Sequence, residues 1–99
     1  MIRHTVAFSL QHPPGSAEEK AFLDAALCLT RIPGVEKFEQ LRQTSEKCDF
    51  AFGFSMEFAD DTAYQLYNDH PIHVEFVRDR WVPEVTGFQE IDYRPLAAS

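Results

Sequence analysis

Three side chains able to bind or move a proton lie at equal spacing in the stretch YNDHPIHVEFV: Tyr67, His70 and His73. An imidazole with its ordinary pKa, about 6.5, can accept a proton at neutral pH. A phenol can donate a hydrogen bond to a developing oxyanion. A base and such a donor are enough for enolate chemistry. Pro71 suits the first turn of a helix and biases the residue before it away from helical backbone. His73 then falls in a first turn, where unpaired backbone N–H groups add positive potential that favours the neutral imidazole. Each residue also has a structural role open to it. His70 can cap the new helix, and Tyr67 can be a core tyrosine with its hydroxyl at the surface. His70 and His73, with His4 or Asp69, would make a metal-ligand set. However, His70 lies outside the helix, so the two rings need not share a face, and no metal site is assigned.

The elements that must position these groups follow from hydrophobic period. IRHTVAFSL alternates, with Ile2, His4, Val6, Phe8 and Leu10 on one face, and reads as a strand. QHPPGS breaks the chain, and His12 reads as a solvated loop residue. SAEEKAFLDAALCLTRI is a helix opened by a capping box, Ser16 with Glu19, and closed by IPG. VEKFEQLRQ is a strand of imperfect alternation. Val35 and Leu41 fall on one face and Phe38 on the other, which a bulge or an edge position would explain. DFAFGFSMEF alternates cleanly, with Phe50, Phe52, Phe54, Met56 and Phe58 on one side. DDTAYQLYNDH begins with acidic residues that suit a helix N-terminus. PIHVEFVRDRW is a separate helix whose Arg80 and Trp81 close the core. VTGFQEIDYRP is a last strand. Its Glu90 and Asp92, with Glu84 just before it, read as a wet face, and Phe88 alternates with Val85, Ile91 and Tyr93.

The order β-α-β-β-α-β specifies an α+β, ferredoxin-like sheet with helices on one face, in a single domain over residues 1–99. The bulky faces of the first and third strands form the core. Their other faces are small and weakly polar: Thr5, Ala7, Ser9, Ala51, Gly53 and Ser55. Such a face can be wet, or can pack on a second copy with Phe38 and Phe88 adding apolar contact, in a two-fold dimer. His4 stands on the bulky face, either as a core histidine bonded to a carbonyl or as a site residue.

The net charge of −7, with 16 acidic against 9 basic residues, argues against nucleic acid, which needs a basic face, and against an anionic membrane surface. Met1 leads straight into strand sequence with no leader pattern, and the apolar runs are too short to span a bilayer. A cytoplasmic location with two free thiols is the expectation. Cys28 reads as core and Cys48 as a loop residue, neither with the setting of a reactive thiol.

The order of elements, the opening IRHTVAFSL, the IPGV turn, the DFAFGFSMEF strand and above all YNDHPIHVEF resemble the stress-responsive A/B barrel (Dabb) family over nearly the whole chain. The H-P-x-H-x-x-F run, here His70, Pro71, His73 and Phe76, is the most specific part. The resemblance implies a ferredoxin-like protomer and a homodimeric α+β barrel. It implies little about activity, since most such domains have no assigned reaction. One plant member is a polyketide cyclase that closes a poly-β-keto chain by aldol chemistry without metal or organic cofactor, in a pocket between sheet and helices. Carried over, its base is His73, its substrate-binding tyrosine is Tyr67, and its first-strand histidine is His4. A further pocket histidine of that enzyme falls at Phe52, which makes the pocket more apolar. Phe52 and Phe54 are then substrate-binding candidates beside His4. The implied function is a cofactor-independent enzyme, or a binder, for a small carbonyl or phenolic ligand. The alternatives are a non-catalytic dimeric binding or stress-associated structural protein and, on the same barrel, a cofactor-free oxygenase.

Overall fold

Strand β1 (Ile2–Leu10) is buried at every second residue through Phe8, as its alternation requires. The computed structural model describes residues 1–97 of the chain. Helix α1 (Ala17–Ala26) starts at Ser16, whose hydroxyl accepts from the Glu19 N–H at 3.1 Å. The Glu19 carboxylate accepts in return from Gly15, one residue earlier than the usual partner. The α-helix ends at Ala26 and tightens into a 3₁₀ turn, Leu27–Arg31. Strand β2 (Glu36–Arg42) follows, then β3 (Phe52–Phe58), which begins three residues later than the alternation from Asp49 predicts. The Gln43 amide donates to the carbonyls of Cys48 and Phe50, which shapes the intervening loop instead of extending the strand.

Helix α2 (Asp61–Asp69) is capped by Asp60, which accepts from the Ala63 N–H at 2.8 Å. Pro71 starts α3 (Pro71–Phe76), and His70 caps it, its Nδ1 accepting from the Ile72 N–H at 3.1 Å. The helical run does not stop at Trp81. It passes through a π-helical turn, Val77–Trp81, into a short α4 (Val82–Glu84) and directly into β4 (Val85–Tyr93). The sheet is antiparallel throughout, in the order β2-β3-β1-β4. Its inner face and the helices enclose one core. Phe8 is fully buried at its centre, with ring centroids 4.7 Å from Phe54, 5.0 Å from Trp81, 5.6 Å from Phe52 and 5.8 Å from Phe22.

Both edge strands carry a bulge, and the bulges correct three expectations. In β2 the pairing advances three residues, Glu36 to Glu39, while β3 moves two, Glu57 to Ser55. Lys37 takes a left-handed backbone there, φ 51°. Val35 and Phe38 therefore both reach the core, with Phe38 against Phe54 at 5.4 Å rather than on the outer face. In β4, Leu10 pairs with Val85 but Ser9 pairs with Gly87, so Thr86 is the extra residue. One added residue reverses which side every later side chain faces. Phe88, Glu90 and Asp92 thus lie opposite Phe8, Val6 and His4 on the helix side, and not on the outer or wet face. Gln89, Ile91 and Tyr93 point outward. His12 is also no free loop residue. Its Nε2 lies 2.7 Å from Glu84 Oε1, and Arg80 Nε lies 2.8 Å from Glu84 Oε2. This cluster ties the loop after β1 to the helix end.

Phe8→Ala should cost about 3–5 kcal/mol, because it empties the centre of an aromatic cluster that has little room to collapse. Urea denaturation checks this. A loss below about 1 kcal/mol would mean that Phe8 does not organise the core.

Candidate active site

The register of β4 on β1 brings Asp92 opposite His4. Only 6% of His4 is exposed, and a buried imidazole needs partners. Its Nδ1 lies 2.6 Å from Asp92 Oδ1. The Tyr64 hydroxyl donates to Asp92 Oδ2 at 2.8 Å and lies 2.9 Å from the same His4 nitrogen. The carboxylate can only accept, so the hydrogen on the ring belongs on Nδ1. Nε2 is then the lone-pair nitrogen of the neutral ring, on the side away from Asp92. A carboxylate holding an imidazole in one tautomer is the usual way a histidine base is oriented. Burial, then the Asp92 hydrogen bond and charge, push the Tyr64 phenol well above its ordinary pKa.

His73 sits in the first turn of α3. Its Nδ1–H donates to the Asn68 carbonyl at 3.0 Å, which likewise leaves Nε2 as the basic nitrogen. Burial lowers the His73 pKa, partly offset by the Asn68 carbonyl; the neighbouring His4 lowers it further and Glu90 raises it. Tyr67 lies beside it, with ring centroids 4.4 Å apart and planes tilted by 41°. Tyr67 is 3% exposed. Burial raises its pKa, with a further rise from Glu90, so it remains a neutral phenol and a donor.

His4, Tyr67 and His73 line one cavity of about 320 Å³ between sheet and helices, within the size range of about 300–1,000 Å³ that ligand sites occupy. Phe54, Met56, Phe76, Trp81 and Phe88 supply most of the apolar wall, and Glu90 is a fourth polar group. Val77 and Trp81, which bound the π-helical turn, both face this space. Such turns are frequent at functional sites because the widened backbone re-aims side chains. Phe52 is not part of the wall: it packs on Phe8, with the Arg42 guanidinium 5.3 Å from its ring centroid. His70 is taken up by its cap. Tyr64, Asp92 and Glu90 are the site groups that sequence reading missed. The signal available was the alternation of Phe88, Glu90 and Asp92, once the bulge at Thr86 is allowed for.

An antiparallel four-stranded sheet with helices on one face, and a cavity between them, defines a ferredoxin-like α+β domain. The sequence profile of the stress responsive A/B barrel domain matches residues 2–95, so this chain belongs to that family. No curated protein matches the chain. Among solved structures, a Dabb family protein with a ferredoxin-like fold from Mesorhizobium loti is 66% identical, with a TM-score of 0.94 and 97% of each chain covered. A dimeric ferredoxin-like protein of unknown function from Thermobifida fusca is 16% identical, with a TM-score of 0.76 over 93% of this chain and 88% of that one. The hydroxynitrile lyase of Passiflora edulis is 12% identical, with a TM-score of 0.81 over 99% of this chain and 96% of that one. Among the described residues, no helix is long and apolar enough to cross a membrane.

Asp92→Ala should destabilise the fold by about 1–3 kcal/mol, since it removes the charged partner of a buried imidazole and leaves Nδ1 only the Tyr64 hydroxyl. Ring-nitrogen NMR should find His4 protonated on Nδ1 in the parent protein and in a tautomer mixture in the variant. An unchanged His4 spectrum would show that Asp92 does not set the tautomer. His73 should titrate below 6.5. A depressed folded-state pKa means the unfolded chain binds the extra proton first. The contribution of His73 to stability is therefore present above pH 6.5 and lost as pH falls through the folded value. His73→Gln should remove that part of the acid sensitivity, as read by denaturation at several pH values.

Proposed function

We propose that this domain binds a small, apolar-bodied carbonyl or phenolic compound in the cavity and acts on it by histidine-based acid–base chemistry of the cyclase or lyase kind, without a cofactor. The observation that carries the reading is the Tyr67–His73 pair, 4.4 Å between ring centroids, on the wall of a largely apolar cavity. His73 Nε2 takes the proton from the carbon beside the carbonyl. The C–H electron pair moves into a carbon–carbon double bond, and the carbonyl π pair moves onto oxygen. The Tyr67 O–H stabilises that enolate oxygen by a hydrogen bond. In a cyclisation the enolate carbon bonds to a second carbonyl carbon of the same ligand. The π pair of that carbonyl moves onto its own oxygen, which takes the proton back from the imidazolium. With no second carbonyl the proton returns to the carbon. His4, oriented by Asp92 and Tyr64, offers a second nitrogen for the far end of the ligand, and Phe54 bounds its body. The lyase of the same fold supports the idea that this architecture accommodates such chemistry.

The test is exchange of the α-protons of small neutral ketones in D₂O, followed by proton NMR. Exchange should rise with pH through the depressed His73 pKa and then level off. His73→Gln should slow it by about 10²–10⁴-fold, and Tyr67→Phe should slow it less. Exchange no faster than in buffer, with no ligand-induced shifts at Tyr67 or His73, would remove both the catalytic and the binding reading.

The protomer's outer sheet face supports a homodimer as well. Leu41, Ile91 and Tyr93 are 46%, 42% and 51% exposed there, beside the small side chains of Ala7, Gly53 and Ser55. Arg3 and Lys37 flank the face, both paired with Glu57. Similar folds are described as dimeric. Two such faces packed together would form the barrel and would stand without any catalysis, which is the second reading. Leu41→Glu with Ile91→Glu should convert a dimer to a monomer by light scattering. A parent protein that is already monomeric would sink the barrel.

A further inference from the structure

We infer that Glu90 sets the charge class of the ligand: the cavity accepts a neutral molecule and rejects a carboxylate. This rests on the ligand-site reading above and narrows it. Glu90 stands opposite Val6 on β4, between Phe88 and Asp92 on the same face, and is one of the groups lining the cavity. It is a different carboxylate from Asp92, which His4 and Tyr64 engage. Among the described residues, no side chain hydrogen-bonds or ion-pairs with the Glu90 carboxylate; other exposed acids share that, and what sets Glu90 apart is its place on the cavity wall.

No arginine or lysine is among the residues lining the cavity. The bases closest in sequence are committed elsewhere, Arg80 to Glu84 and Arg94 to Asp61. The other polar groups of the wall are Tyr67, His4 and His73, and burial disfavours a positive charge on His73. A ligand carboxylate would enter apolar surroundings with no cation to meet it and an unpaired carboxylate beside it. Both the desolvation of the incoming charge and the like-charge contact oppose it. The net charge of −7 adds a repulsive field of the same sign. A ketone, aldehyde or phenol of the same shape meets none of these penalties. Its oxygen can accept from Tyr67, and its body can lie on Phe54, Trp81 and Phe88.

The same carboxylate serves the proposed proton transfer. It sits where it raises the basicity of His73, so it favours the imidazolium formed when the ring takes a proton. An anionic substrate would weaken that arrangement from the other side.

Acetophenone and benzoate make a matched pair of probes, of similar size and differing in charge at the carbonyl end. Titrations followed by NMR at the Tyr67 and His73 rings, at neutral pH and low ionic strength, should show acetophenone binding and benzoate at least about tenfold weaker. Glu90→Gln should narrow that gap to within about threefold, and added salt should narrow it in the parent protein, since Glu90 is exposed and its field is screened. The salt series needs no variant, so it tests the inference even where the substitution disturbs the fold. Benzoate binding as tightly as acetophenone would overturn the inference and leave the ligand site standing. So would a gap that neither Glu90→Gln nor salt changes. Failure of both probes to move the Tyr67 and His73 signals would instead overturn the ligand-site reading, and the charge selectivity with it.

Discussion

The pairing of β4 with β1 is the constraint on which the site depends. β4 is an edge strand, held through β1 alone. One extra residue at Thr86 decides which of its faces looks inward. With it, Asp92 meets His4, Glu90 enters the cavity and Phe88 joins Trp81, ring centroids 5.5 Å apart. Without it, Gln89, Ile91 and Tyr93 would face the helices, and His4 would lose its carboxylate and keep only the Tyr64 hydroxyl. A charge-assisted hydrogen bond to a buried imidazole is costly to lose, so His4 and Asp92 also help to hold the register.

The core and the cavity share walls. Phe8 anchors a packed aromatic cluster at one end of the sheet, and Phe54 and Trp81 belong both to that cluster and to the cavity. Toward the other end, large side chains give way to His4, Tyr67 and His73. A chain of this length buries only a modest share of its surface, so keeping about 320 Å³ open within it sacrifices contacts that would otherwise stabilise the fold. The polar groups around that space are largely fixed by protein partners: His4 by Asp92, His73 by Asn68. Their other ring nitrogens have no protein partner among the described residues. In the proposed site Asp92 and Asn68 would set the orientation of both rings before anything binds.

Much was legible from residue order alone because it depended on local periodicity. The alternation of Ile2 to Leu10, the Ser16 cap and the stop at His70–Pro71 are decided within a few residues. The Tyr67 and His73 pair was legible for the same reason: spacing within one helix–proline–helix stretch placed them together. Trp81 was read as closing the core, which it does, and it is also a cavity wall, at the end of the π-helical turn Val77–Trp81. Phe52 was misplaced because its face was right but its position along the strand was not. On β3 the cavity borders Phe54 and Met56, whereas Phe52 packs on Phe8 beyond its end.

What residue order determined by itself was the set of elements, their class and the chemical type of the pocket histidines. These follow from hydrophobic period, capping and proline geometry, which act over short range. Only the tertiary structure decided that Asp92 and Tyr64 hold His4, that Glu90 faces the cavity, and that Phe38 and Phe88 turn inward. The physical reason is parity. In a strand each side chain alternates faces, so a single bulge exchanges inside for outside along everything beyond it. Whether a bulge forms depends on pairing with a strand at the other end of the chain (Asp92 on β4 lies opposite His4 on β1, 88 positions apart) and not on the residues of the bulge alone.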